Sequence, residues 1–235
     1  MAQLLQDQNI DEILENLRYL IKAEQTNFIL PIITELHPSD IAEILSHLNE
    51  EERKAIFGLL DSEKASDVLV ELGESVAEDV LEELDTHQIA KMVNEMDSDD
   101  AADILSDLPP HQVAEVLQHV EEESSEEIQE LMLYPEDTAG GLMAKEFVSV
   151  PASATVETAI EEIRKKHEEI ENIYYCFVTD DFGTLLGSIT MRALILASNN
   201  TKVQEIMDQN IVSVDVKMDQ EEVAKIFRKY DLVVA

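Results

Sequence analysis

The chain has 235 residues, with 52 acidic side chains against 16 lysines and arginines, a formal net charge of −36. That length fits one or two domains with a self-sufficient core, and 45% apolar content is too high for a disordered acidic tail. Acidity of this size repels phosphate, which excludes nucleic acid and anionic lipid as direct partners and leaves basic proteins and cations as counter-charges.

A single cysteine, Cys176, excludes an intramolecular disulfide and a Cys2His2 zinc site. The opening MAQLLQDQNIDEILENLRYL has acids where a secretory leader needs a basic and then an apolar segment. No run approaches the ~18 apolar residues of a membrane-spanning helix. The expectation is a soluble, cytosolic chain, which leaves room for membership of something larger.

Residues 1–35 read as one or two longer helices interrupted by Pro31. A twelve-residue period then takes over. Ile44, Leu45 and Leu48 recur as Ile56, Phe57 and Leu60, then as Val68, Leu69, Leu72 and as Val80, Leu81, Leu84. Met92, Val93, Met96, then Ile104, Leu105, Leu108, then Val116, Leu117, Val120 complete the series. All 21 positions are apolar, against a naive chance on the order of 10⁻⁷ at this composition. The i, i+1, i+4 spacing puts each triplet on one helical face. Between them stand Asn49, Asp61, Gly73, Asp85, Asp97 and Pro109, all capping or turn residues. Asn49 to Glu52 and Asp85 to Gln88 resemble capping boxes. The reading is a stack of two-turn helices over 1–133, each burying its neighbour's stripe.

Past residue 136 the period changes. Phe147 to Val150 reads as a strand, Thr155 to Lys166 as an amphipathic helix and Ile173 to Thr179 as a buried strand. Asp180 to Gly183 supplies a hairpin turn, Leu185 to Ile189 returns as a strand, and Thr190 to Ser198 closes as a helix. This β-α-β-β-α unit then restarts at an offset of 64: Val148-Ser149-Val150 recurs as Val212-Ser213-Val214, Met143 as Met207, and Arg164-Lys165 as Arg228-Lys229. A whole second copy needs roughly 35 residues more, so the expectation is a piece of a longer protein. The expected divisions are 1–133 (helical repeats), 134–146 (a linker with the Gly-Gly-Leu-Met segment), 147–200 (first unit) and 201–235 (second unit, incomplete).

A tandem β-α-β-β-α pair of this size resembles the cystathionine-β-synthase (CBS) domain pair. With Tyr134-Pro135-Glu136-Asp137-Thr138-Ala139-Gly140-Gly141-Leu142-Met143 before it and the helical repeat upstream, the whole chain resembles the MgtE family of magnesium channels and transporters. Ile173-Tyr174-Tyr175, Asp219 to Ala224 and Tyr230-Asp231 are further matching stretches. The resemblance implies an α plus α/β architecture, a right-handed superhelix of short helical repeats followed by a CBS pair. It also implies a homodimer formed through the CBS domains, on the cytoplasmic face of a covalently attached membrane pore. Mg2+ at acidic interfaces would draw the helical domain onto the CBS pair and the protomers together, closing that pore. A ligand that favours one state shifts the balance by its differential affinity, and hard cations relieve acidic self-repulsion through oxygen ligands.

Asp99, Asp100 and Asp103 open one repeat helix, with Asp99 and Asp103 at i, i+4, where like charges repel unless a cation lies between them. The competing role is to complement the helix dipole. The resemblance assigns Asp99 and Asp103 as Mg2+ contacts, with Asp67 at a further family acidic contact one repeat-helix face away. It adds the backbone carbonyl of Gly141, Asp231 at the dimer interface, and the Arg228 carbonyl one turn earlier. Asp219 and Glu221 open the last helix, where capping is the alternative. Gly140-Gly141 would otherwise serve a turn of positive φ.

CBS pairs of this family also bind ATP through an aromatic in the Ile-Tyr-Tyr stretch and an Arg-Asp pair after the third strand. Tyr175 and Arg192 match, but Ala193 stands where the ribose-binding acid belongs, and Tyr175 is equally a core residue. No P-loop, dinucleotide fingerprint or nucleophile elbow is present. His37, His87 and His111 fall at inter-helix turns, and the basic run Arg164 to His167 reads as a solvated helix end. A non-enzymatic magnesium sensor is therefore expected. A nucleotide-sensing CBS module and a helical adaptor for basic proteins are the alternatives.

Overall fold

Each twelve-residue period folds as one short helix and one tight turn. The computed structural model describes residues 10–235 other than 168, 169, 171 and 172. It opens with α1 (Ile10–Lys22), α2 (Thr26–Thr34), α3 (Pro38–Ser46), α4 (Glu50–Phe57) and α5 (Ser62–Val70). α6 (Glu74–Glu82), α7 (Thr86–Val93), α8 (Ser98–Ser106), α9 (Pro110–Leu117) and α10 (Glu122–Leu131) follow. Of the 21 repeat positions sixteen are buried; Leu60, Leu84, Met96, Leu108 and Leu117 are partly buried. Four of these five close their triplet, where the helix gives way to the turn.

Helices this short do not persist alone. They are held by packing on the next but one: α3 on α5, α5 on α7, α7 on α9, and α4 on α6. A fourth stripe position, three residues before each triplet, completes the seam, with Ile41, Ala65, Ala77, Ile89 and Ala101 buried. Arg53 holds the same position as a buried charge. Its Nε donates to the Leu45 carbonyl and its Nη2 to the Leu48 carbonyl, both at 3.3 Å. The guanidinium thus adds a second donor to the Leu45 carbonyl, which also accepts from the Leu48 N–H at 3.2 Å, and supplies one to the Leu48 carbonyl just past α3, while Nη1 pairs with Asp79 at 2.7 Å.

Both capping boxes form. Asn49 Oδ1 accepts from the Glu52 N–H at 3.0 Å and Glu52 Oε2 from the Asn49 N–H at 3.4 Å. Asp85 and Gln88 exchange the same pair at 2.8 and 3.1 Å. Pro31 does not interrupt the chain: it lies inside α2. The break falls earlier, between Lys22 and Thr26, where Glu24 adopts a φ of 55°. Proline removes a single backbone hydrogen bond in α2, a helix of only nine residues.

The second half carries β1 (Val148–Pro151), α11 (Val156–Lys165), β2 (Tyr175–Thr179), β3 (Leu185–Thr190), α12 (Met191–Leu196), a 3-10 turn (Val203–Glu205) and α13 (Gln220–Tyr230). β1 lies parallel to β2, with Val148 opposite Cys176, and β3 returns antiparallel, with Thr190 opposite Tyr175. The parallel pair requires the α11 crossover. Val148, Val150, Val156, Cys176, Val178 and Ile189 lie in its core. At the hairpin, Asp180 Oδ1 accepts from the Thr184 N–H at 2.8 Å and the Phe182 N–H at 2.9 Å. These bonds hold its carboxyl below the usual range, and Gly183 supplies a φ of 80°. The chain divides into two compact units: the helices through Gln129 without Asp97–Asp99, and those three residues with Glu130–Ala235.

The second β-α-β-β-α copy is present only as its helix, α13. Val212–Val214, expected as a strand, joins no ladder among the described residues. The stretch just after it runs beside the Gly-Gly segment instead. The Ala139 N–H donates to the Met218 carbonyl and the Gly140 N–H to the Val216 carbonyl, both at 2.8 Å.

Arg53→Ala takes the guanidinium from the Leu48 carbonyl, leaves the Leu45 carbonyl only the Leu48 N–H, and is expected to lower the unfolding free energy by about 1–3 kcal/mol. Asp79→Ala removes only a carboxylate that is 58% exposed and should cost below about 1 kcal/mol. Urea denaturation followed by circular dichroism measures both.

Candidate cation and nucleotide sites

Asp99 and Asp103 lie one turn apart on α8, with Asp100 beside them; Asp99 and Asp100 are partly buried and Asp103 is exposed. The helix start is organised by residues the sequence reading passed over. Ser98 is buried, and Glu146 accepts from both its N–H and its hydroxyl at 3.0 Å. The Lys145 N–H donates to the same hydroxyl oxygen at 3.0 Å. A carboxylate thereby sits on the positive end of α8. The 48-residue separation gives no local signal for it. Asp67 is exposed on α5.

A second acidic feature was equally silent in the sequence. Burial pushes the Asp107 carboxyl above its usual range, and the nearby Glu74 charge raises it further. Like-charge repulsion is therefore already felt within the helical unit. Among the described residues no three His, Cys, Asp or Glu side chains converge into a metal-binding group. The donors available are exposed or half-buried carboxylates, which suit a Mg2+ that keeps several waters and takes one or two carboxylates. They do not form a closed inner shell.

The Gly-Gly segment needs glycine for a reason other than the one expected. Among the described residues Gly183 is the only glycine with positive φ. At Gly141 an added Cβ would stand 2.6 Å from the Pro135 carbonyl oxygen and 2.8 Å from Glu136 Cα. At Gly140 it would meet the Tyr134 ring at 2.5 Å. Close approach, not handedness, excludes a side chain. Asp219 caps α13, its Oδ1 accepting from the Glu221 N–H at 2.8 Å. Asp231 closes the same helix in the left-handed conformation, φ 52° and ψ 49°, its N–H donating to the Phe227 carbonyl. Both acids thus have capping work, and Glu221, Arg228 and Asp231 are all exposed.

Tyr175 is half-buried in β2 and is not part of the closed core. It lines a cavity of about 100 Å³ together with Phe147, Tyr174, Phe177, Val233 and Val234. That is below the ~300 Å³ at which small-molecule sites begin. Arg192 is exposed in the first turn of α12 and does not line the cavity. The Ala193 N–H donates to Thr190 Oγ1 at 3.2 Å, the N-cap bond of α12. Cys176 is buried, and burial raises its thiol to about 11, the state of a packing residue.

A series of two-turn helices followed by a β-α-β-β-α sheet unit defines a helical N domain joined to a CBS domain. Residues 36–137 match the model of the MgtE intracellular N domain, and residues 139–200 that of the CBS domain. The magnesium transporter MgtE of Bacillus subtilis is 30% identical over 98% of this chain and 51% of its own length. That of Thermus thermophilus is 43% identical over 46% of this chain and 24% of its own. The crystal structure of the cytosolic domain of the Mg2+ channel MgtE in complex with ATP superposes with a TM-score of 0.87. It is 32% identical and covers 93% of this chain and 90% of that one. The soluble part of a magnesium transporter superposes at 0.82, with 31% identity, 96% of this chain and 89% of that one. The chain belongs to the MgtE family. It spans about half of its Bacillus relative, and among the described residues no helix is long and apolar enough to cross a membrane.

Gly141→Ala is expected to destabilise the second unit by about 1–3 kcal/mol through the Pro135 contact, read as a lower thermal midpoint. Cys176 should resist a disulfide exchange reagent in the native state and react on unfolding. Its folded thiol ionises later than an unfolded one. The stability this contributes is full below about pH 9 and is lost as the pH rises toward 11. Cys176→Ala removes that alkaline component from a pH series of denaturation curves.

Proposed function

We propose that this chain is the magnesium-sensing regulatory region of a magnesium transporter or channel, acting at the cytoplasmic face of the membrane. It is non-enzymatic and works as a homodimer assembled through the CBS region. Family membership together with a net charge of −36 carries this reading. Mg2+ at the acidic surfaces relieves like-charge repulsion and favours a compact state that holds an attached pore closed. When Mg2+ falls the acids repel, the region loosens and the pore opens. Asp99 and Asp103 are the leading contacts, with Asp100 beside them, Asp67 on α5, and Gly141, Asp219, Glu221, Arg228 (by its carbonyl) and Asp231 in the second unit. The helix geometry supports Asp99 and Asp103: carboxylates at i, i+4 gain most from a shared cation.

The test is limited proteolysis across a Mg2+ titration at constant ionic strength. Millimolar Mg2+ should slow cleavage several-fold, and Asp99→Ala with Asp103→Ala should blunt that protection with helix content unchanged. Equal protection in the double variant would remove both residues from the proposal.

Adenosine nucleotide is the second ligand to consider, because a relative 32% identical is described in complex with ATP. Ala193 argues for weak binding here, since a buried ribose hydroxyl without a partner costs its full desolvation. Ala193→Asp is expected to tighten ATP binding about tenfold by calorimetry, the gain of one charge-assisted hydrogen bond. Tight binding to the unaltered chain would instead favour nucleotide sensing.

A further inference from the structure

His87 and His119 meet on the surface of the helical unit. His87 lies in the first turn of α7 and His119 two residues past α9, and these two helices pack on each other. Their imidazole centroids are 4.8 Å apart, with the ring planes at 87°. Both residues are exposed, so an ion can reach them and the rings can turn.

The separation carries the argument. An ion about 2.0–2.1 Å from one nitrogen of each imidazole stands about 3.2 Å from each centroid. Two imidazoles sharing it therefore have centroids about 4.5 Å apart at a right-angled N–metal–N arrangement and about 5.2 Å apart at a tetrahedral one. The observed 4.8 Å lies between the two. Rotation about χ2 turns a ring about an axis through its own centre. A nitrogen can therefore be aimed at the shared point with little change in this distance and no movement of either helix. An edge-to-face ring contact is also an ordinary packing arrangement. The surroundings here add a net charge of −36, which concentrates divalent cations at the surface.

We propose that His87 and His119 form a two-histidine site for a borderline divalent cation of the Zn2+, Ni2+ or Cu2+ class, with water completing the coordination. Imidazole suits these metals, while Mg2+ takes oxygen donors, so the site is separate from the Mg2+-sensing surfaces and does not depend on that reading. A bound ion clasps α7 to α9 and stabilises the helical unit by mass action.

The experiment is calorimetric titration of the whole chain with NiCl2 in excess Mg2+, which occupies carboxylate sites. One Ni2+ per chain is expected. His87→Ala and His119→Ala should each weaken it at least about tenfold, and the double variant should add little to either single, because both nitrogens act on one ion. His111→Ala should leave binding unchanged. The electron paramagnetic resonance of bound Cu2+ should show two nitrogen ligands, reduced to one by either substitution. Absence of binding in excess Mg2+, or binding unaltered by both substitutions, overturns the site.

Discussion

The structure depends on one constraint: a helix of eight or nine residues cannot hold its own conformation and must bury its apolar stripe against a neighbour. The chain meets it by repeating that stripe every twelve residues and packing α3, α5, α7 and α9 in series and α4 on α6. Four positions per repeat carry the packing, joined in four helices by a fifth at Ala42, Ser66, Ala90 and Ala102, and most of the rest are released from it. Acids occupy many of them. The order of the helical unit and its charge thus have a common origin, a short apolar seam with a wide polar remainder.

That arrangement stores repulsion. Screening with a Debye length near 8 Å removes most of it between distant surface charges, yet leaves neighbours on one helix turn coupled. Desolvation first, and the nearby Glu74 charge after it, raise the Asp107 carboxyl inside the helical unit. In the second unit the acids are used differently. Asp180 pins a hairpin, Asp219 starts α13 and Asp231 ends it.

The helical half was almost fully legible in the sequence, because its core is local: period, caps and both capping boxes are written within twelve residues. Arg53 was not, since its partners, the Leu45 and Leu48 carbonyls and Asp79, are fixed only by helix packing. Pro31 misled because proline is disfavoured inside a helix yet tolerated in α2. The first sheet unit was legible in order and turn chemistry. The second copy was legible as a repeat, yet among the described residues Val212–Val214 forms no strand. The candidate sites divide likewise: the α8 acids stand out by spacing, whereas Glu146 on Ser98 and the His87–His119 pair exist only in three dimensions. The positive φ considered for Gly140-Gly141 is not what requires glycine there, because a close approach leaves no trace in composition.

The central claim is that the acidity acts as a spring that a divalent ion closes. The most direct measurement is the radius of gyration by small-angle scattering across a Mg2+ titration, paired with KCl at matched ionic strength. The account predicts a saturable contraction at millimolar Mg2+ that KCl does not reproduce. Identical curves in the two salts would reduce the effect to Debye screening and contradict it.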